Sequence, residues 1–248
     1  MLIKTLFRRV FGLGAACLLS AMPAAAGDQA TLEVLGFSQD GRYFAFEQHG
    51  IQDGSGFPYS EIYVIDVHAD SWVSPSPFRQ RDKIDDSQGY DPVALLNKTR
   101  GENRLAAQSL LASTAIAGFG ATVGSNPVTE LSADPFNMTV NIRPVVPPID
   151  GPMEIELAEF ELPDATCASY GVQTKGFQLN TVYGGEARVR HFDKSLPKSR
   201  GCATGYRIER AVSFFPDGKP PVIAIIVHIA KHGFEGPDGR FLAITGRL

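Results

Sequence analysis

Five histidines are the first place to look for chemistry in this chain, and two of them, His228 and His232, stand four residues apart. On a helix that spacing puts two imidazoles on one face, as zinc sites do. Here they end the run Val222-Ile223-Ala224-Ile225-Ile226-Val227, whose β-branched residues read as a strand. On a strand the two rings share a face about 13 Å apart, beyond the reach of one ion. Asp82, Asp85, Asp86 and Asp91 lack the Asp-x-Asp-x-Asp-Gly order that wraps a loop around calcium, so they read as a solvated acidic loop. Gly-x-Ser-x-Gly is absent, as are a phosphate loop and a Gly-x-Gly-x-x-Gly after a strand, so neither a hydrolase elbow nor a nucleotide cradle is expected. No catalytic residue, metal or cofactor is assigned on this reading.

Two polar loops remain as candidates, His49 to Glu61 and His232 to Arg240. Each joins two predicted strands, and binding residues favour loops held by a rigid scaffold. Within or beside them, Glu47, His49, Asp53, Tyr59, Glu235, Asp238 and Arg240 are the candidate binding residues. We expect the loops to lie together as a small polar recognition surface. Turn and capping chemistry is the simpler account of the same Gly and Asp residues.

The elements that must position these loops are mainly strands. Thr31–Phe37, Arg42–Glu47, Glu61–Val67 and Ser71–Val73 read as an antiparallel meander, with Asp40-Gly41 as its first tight turn. A polar connector, 74–91, leads to one helical segment around 92–117. Asp91 is its cap, Pro92 opens its first turn, and Gly101 is expected to split it. Further strands are expected over 138–145, 153–162, 176–183, 185–192, 205–215, 221–230 and 240–245. The fold class is therefore mainly β, antiparallel meanders arranged propeller-like or sandwich-like, with one helix. Asp40-Gly41-Arg42-Tyr43-Phe44-Ala45-Phe46 is echoed by Asp238-Gly239-Arg240-Phe241-Leu242-Ala243-Ile244, which suggests one turn-then-strand device used twice.

Composition sets the compartment. Lys4, Arg8 and Arg9 are the only charges before Asp28, Val10–Leu19 is apolar or small, and Pro23-Ala24-Ala25-Ala26 follows. This is the three-part pattern of an export signal, residues 1–26. Its apolar stretch is short of the roughly 20 residues a membrane span needs. Arg8-Arg9-Val10-Phe11 is a weak match to a twin-arginine signal, and Ala15-Ala16-Cys17 a weak match to a lipoprotein site. Residues 27–248 are expected to form a single domain. Without the signal, the charge of −4 becomes −7, 20 basic against 27 acidic residues, which argues against a nucleic-acid partner. The three cysteines become two, Cys167 and Cys202. In an oxidising compartment they are most simply a disulfide closing a loop of about 35 residues, worth about 4 kcal/mol by chain entropy. A reactive or metal-binding thiol pair is the rival reading.

Gly36 to Val67, with its Phe-Ser-x-Asp-Gly-Arg and Ile-Tyr-Val-x-Asp stretches, resembles one blade of a TolB-type β-propeller. The same segment, Ser199-Arg200-Gly201-Cys202 and Gly233-Phe234-Glu235-Gly236-Pro237-Asp238-Gly239-Arg240-Phe241 resemble a bacterial family of predicted secreted proteins, domain of unknown function 2259. That resemblance spans nearly all of the chain after the signal. It implies export and a common fold, and carries over no activity.

The first functional reading is an exported, periplasmic or secreted binding or interaction module, non-catalytic, whose partner is an envelope protein or a small ligand. The runner-up is an exported hydrolase using Glu47, His49, Glu235 and Asp238. A third is an envelope assembly factor whose blade-like β edge pairs with a partner. Mass analysis of the exported protein's amino terminus is expected to show a chain beginning at Gly27. A chain beginning at a lipidated Cys17 would overturn that expectation.

Overall fold

The computed structural model describes residues 27–85, 87 and 89–248. Residues 1–26, where an export signal is expected, with Cys17 among them, and Asp86 lie outside these described residues. The chain runs β1 (Thr31–Ser38), β2 (Tyr43–Ile51), β3 (Pro58–Asp66), β4 (Ser71–Trp72), β5 (Phe78–Arg81), α1 (Pro92–Ser113), β6 (Ile116–Phe119) and β7 (Ala121–Ser125). It continues through β8 (Asn137–Val140), β9 (Met153–Glu161), the one-turn helix α2 (Ala165–Ala168), β10 (Lys175–Tyr183) and β11 (Glu186–Phe192). The last strands are β12 (Ala203–Phe214), β13 (Val222–Lys231) and β14 (Asp238–Arg247).

These strands form three antiparallel sheets. The first has the order β4-β3-β2-β1-β6, with β5 also on β3. The second is β14-β13-β12-β7, and the third β11-β10-β9-β8. The second sheet is the middle layer. Val222, Ala224 and Ile226 of β13 pack with Phe37, Phe44, Phe46 and Tyr63 of the first sheet. The intervening Ile223, Ile225, Val227 and Ile229 pack with Ile155, Leu157, Phe177 and Leu179 of the third. Side chains alternate across a strand, so a strand covered on both faces must be apolar at every position. That is why β13 reads Val-Ile-Ala-Ile-Ile-Val. β9 covers the middle sheet with one face only, so Met153, Ile155 and Leu157 are buried while Glu154, Glu156 and Ala158 between them are exposed.

The arrangement is thus mainly β with antiparallel sheets and one long helix, stacked face to face. The chain passes from the first sheet to the second at Gly120, between β6 and β7. Its φ is +110°, and a Cβ there would lie 2.9 Å from the Phe37 ring and 3.1 Å from Val212. Only glycine meets both demands. Cys167 of α2 and Cys202 are disulfide-bonded with Cα atoms 5.5 Å apart, which ties the turn after β9 to the start of β12.

Helix α1 departs from expectation in three ways. It runs unbroken through Gly101, whose side is open to solvent. It ends at Ser113, so that residues 116–125 are strands β6 and β7. Its leucines do not define its buried face: Leu105 is 70% exposed, while Thr99, Asn103 and Ala107 are buried. The reason is the polar surface beneath it. Asn103 donates through Nδ2 to the Ser60 carbonyl at 3.0 Å and the Ser60 hydroxyl at 2.9 Å, so packing satisfies buried polar groups rather than burying apolar ones. Asp91 caps the helix as predicted, accepting from the Val93 and Ala94 N–H groups at 2.9 and 3.3 Å. Two further corrections concern strands. The connector 74–91 contains β5, and Asp238-Gly239 lies inside β14 rather than in a turn, because residues 28–30 run beside it and draw it into extended pairing.

Ile225 is 1% exposed at the centre of this stack. Ile225→Ala is expected to cost about 3 kcal/mol, the usual toll of a large-to-small core change. Val189→Ala, on the open face of the third sheet, is expected to change stability by less than about 0.5 kcal/mol. Urea unfolding of the two variants measures both.

Candidate functional site

The seven residues expected to bind fall into three places. Glu47 and His49 point from β2 to the side of the first sheet that α1 covers. Glu47 is fully enclosed. It accepts from the Ser60 hydroxyl at 3.0 Å, from Arg100 Nε at 2.8 Å and from Arg104 Nε at 2.9 Å. Glu33 of β1 shares both arginines. Burial pushes the Glu47 carboxyl upward, but the two guanidinium groups outweigh it and hold the carboxyl below its ordinary range. His49 Nδ1 sits 3.9 Å from Glu47 and has no hydrogen-bond partner among the described residues. Burial lowers its basicity, with Arg100 acting in the same direction. Glu33, Glu47 and His49 bring their ligand atoms within 4.8 Å of one another, but the two guanidinium groups already occupy the charge a cation would neutralise. This is an internal ion cluster that docks the helix.

Tyr59, Asp238 and Arg240 are brought together, and their focus is Asp28. The Tyr59 hydroxyl donates to Asp28 Oδ1 at 2.9 Å. The Arg240 guanidinium pairs with the same carboxylate and lies 4.5 Å over the Tyr59 ring. Asp238 accepts the Asp28 N–H at 3.1 Å. Asp53 and Glu235 stay exposed at the tips of their loops. The loops themselves run side by side, since a Cβ on Gly54 would lie 4.0 Å from Phe234. Each buried member of this group is already paired within the chain, so the group tethers the segment 28–30 to β14. His228 belongs to the same region, 3.3 Å from Gln29 Oε1 and edge-on to Phe241. His232 lies beyond the end of β13 and is exposed.

A cleft with aromatic and polar walls lies elsewhere, over the outer edge of β14. It measures about 250 Å³ and lies between the first and third sheets. One wall carries Tyr63, Asp70 and Trp72, and the other His191, Ser199 and Arg200; Phe241 to Ile244 form the floor. Trp72 is 47% exposed and packs on Tyr63 with ring centroids 5.6 Å apart. Asp70 ends the turn between β3 and β4 in a left-handed backbone conformation, φ +46°, which Asp tolerates better than most residues. Its carboxylate accepts the Thr245 N–H at 2.7 Å and hydroxyl at 2.9 Å. Burial nevertheless pushes that carboxyl above its ordinary range.

The opposite wall is held by Asp193. It accepts the Phe177 N–H at 3.0 Å, Arg200 Nη1 at 2.6 Å and His191 Nε2 at 2.8 Å. Burial raises this carboxyl, but His191 and Arg200 outweigh it and the net direction is down. His191 Nε2 also lies 3.2 Å from Arg200 Nη2, so the ring is held between the carboxylate and the guanidinium. Arg200 is further fixed 4.9 Å over the Phe177 ring, and the disulfide at Cys202 anchors the turn two residues on. The charged groups are therefore committed to the protein, and the cleft offers aromatic surface and polar side chains.

Sequence reasoning passed over this cleft because residues 63–72, 191–200 and 241–244 meet only when the sheets stack. Two signals point to it in hindsight: Trp72 is the only tryptophan in the chain, and Ser199-Arg200 opens a stretch singled out by the family resemblance.

The family described as "predicted secreted protein", domain of unknown function 2259, matches residues 45–247. The match takes in both walls and the floor of the cleft. No curated protein and no solved structure matches the chain. Among the described residues, no helix is long and apolar enough to cross a membrane.

His228 gives this region a pH signature. Burial, with Arg207 and Arg240 nearby, lowers its pKa to about 4. Below pH 6.5 the unfolded chain takes up a proton at this site that the folded chain refuses until about pH 4. Stability is therefore lost as pH falls through that window, by about 2–3 kcal/mol. His228→Gln is expected to remove that part of the slope, measured as the difference from the parent protein in denaturant unfolding at pH 7 and pH 4.5.

Proposed function

Because the chain belongs to the family of predicted secreted proteins with domain of unknown function 2259, we propose that it works outside the cytoplasm, in the periplasm or beyond, as a non-catalytic binding module whose ligand lies in the cleft over β14. The observation that carries this reading is the half-exposed Trp72 on one wall of a polar-lined cleft. A concave surface that combines an aromatic face with a few fixed polar groups is the usual form of a ligand site. The polar groups on this wall are the His191 ring, held by Asp193, and Ser199. The commitment of Asp70, Asp193 and Arg200 to internal bonds favours recognition over proton transfer. The ion cluster at Glu47 and the tether at Asp28 hold the sheets that form the walls.

The only tryptophan lies in the proposed site, so its fluorescence reports directly on occupancy. A panel of mono- and disaccharides, amino acids and short peptides, screened by thermal shift, is expected to yield a ligand that raises the melting temperature and also shifts Trp72 emission. Trp72→Ala is expected to weaken that ligand about tenfold, the worth of one aromatic contact. A ligand that raises the melting temperature, leaves the emission unchanged and binds Trp72→Ala equally well would place the site elsewhere.

A further inference from the structure

The floor of the cleft is the open edge of a sheet. β14 pairs with β13 alone, in the register Ile226↔Ala243. Leu248 N–H donates to the Pro221 carbonyl at 2.9 Å across this pairing, which sets its phase. Residues 240, 242, 244 and 246 exchange bonds with β13, and residues 239, 241, 243, 245 and 247 turn their backbone groups outward.

Five of these ten outward groups are answered by the chain itself. Gly239 N–H donates to the Asp28 carbonyl at 2.8 Å, and its carbonyl accepts Ala30 N–H at 3.1 Å. Phe241 N–H donates to Gln48 Oε1 at 2.7 Å. Thr245 N–H donates to Asp70 Oδ1 at 2.7 Å. The Arg247 carbonyl accepts from Arg190 Nη1 at 2.7 Å. An amide side chain and a carboxylate thus stand where the carbonyls of a neighbouring strand would be. Between them Ala243 turns both its N–H and its carbonyl into the cleft, and neither has a protein partner among the described residues. The window from Phe241 to Thr245 is about 13 Å of strand.

We propose that the cleft takes a short extended polypeptide segment, one residue of which pairs its backbone with Ala243 in the gap between Gln48 and Asp70. A donor and an acceptor on one residue, at strand spacing, are complementary to one residue of a peptide in β conformation. Successive side chains of such a segment point to opposite faces. One set meets Tyr63 and Trp72 and is apolar; the other meets His191 and Ser199 and is polar. The ligand is therefore a segment in which apolar and small polar residues alternate. This inference rests on the cleft being the ligand site.

The test uses the exported full chain and blocked tetrapeptides, acetyl-Leu-Ser-Leu-Ser-amide and acetyl-Leu-Asp-Leu-Asp-amide, titrated while Trp72 emission is followed. Two isomers of each peptide carry N-methyl groups, one on both Leu nitrogens, the other on both Ser or both Asp nitrogens. Only alternate N–H groups of a strand face its neighbour. One isomer is therefore expected to bind about tenfold or more weakly than its parent, and the other to bind as the parent does. Ala243→Pro removes the outward N–H without removing a ladder bond, which an edge strand tolerates, and is expected to weaken the peptide to a similar degree. The methylated isomers decide the matter if that variant does not fold.

Equal binding by both isomers and the parent, or equal loss in both isomers, would overturn strand pairing. Maltose or cellobiose shifting Trp72 emission while no peptide does would overturn the peptide inference and leave the cleft as the ligand site. A thermal-shift ligand that leaves Trp72 emission unchanged and binds Trp72→Ala equally well would overturn the cleft reading, and this inference with it.

Discussion

A sheet covered on both faces has nowhere to expose itself except at its edges, and this constraint governs the molecule. β13 can lie between two cores only because every position from Val222 to Val227 is apolar. Once the second sheet is a middle layer, its edge strand β14 sits in a trench walled by the other two sheets. Outward backbone groups in such a trench are poorly hydrated, and leaving them unpaired is costly. The chain answers with Asp28, Gln48, Asp70 and Arg190 along the edge. The cleft opens between Phe241 and Thr245, whose N–H groups are capped, while their carbonyls and both groups of Ala243 have no protein partner among the described residues.

The capping residues explain features that look unrelated in isolation. Asp70 closes the turn between β3 and β4 and buries its carboxyl against β14, where Thr245 donates to it. Gln48 alternates with Phe46 along β2 and faces the middle sheet with it, so the strand that supplies a core aromatic also supplies an edge cap. The next residue on either side, Glu47 or His49, faces the helix instead. One strand therefore serves a hydrophobic core on one side and an ion cluster on the other, with Arg100 and Arg104 of α1 closing that cluster. A buried carboxylate stripped of those arginines would be strongly unfavourable, so charge helps hold the helix, none of whose leucines is fully buried.

Much of the framework was legible from local pattern. The Asp40-Gly41 turn, the Asp91 cap, the alternation of β9 and the run of β13 each follow from rules that act within a few residues. The pairing of Cys167 with Cys202 followed from compartment and number. Errors arose where a local rule met a distant partner. Gly101 did not break α1, because the contacts of Asn103 and Arg104 on the next turn hold the helix through it. Asp238-Gly239 did not turn, because the segment 28–30 pairs beside it. Glu47 and His49 were read as loop-side binding residues, whereas the pleat of β2 turns them under the helix.

The sequence by itself determined the strands, the caps, the disulfide and the need for one strand buried on both faces, since each is a matter of side-chain type and period along the chain. Only the tertiary structure decided where a cleft forms. The cleft joins a turn near residue 70, a strand end near 191 and the edge of β14, and no periodicity records that these meet. They meet because stacking two sheets on a third aligns three edges. The chemistry left open at Ala243 belongs to the backbone, which every residue carries alike and which no residue type reveals.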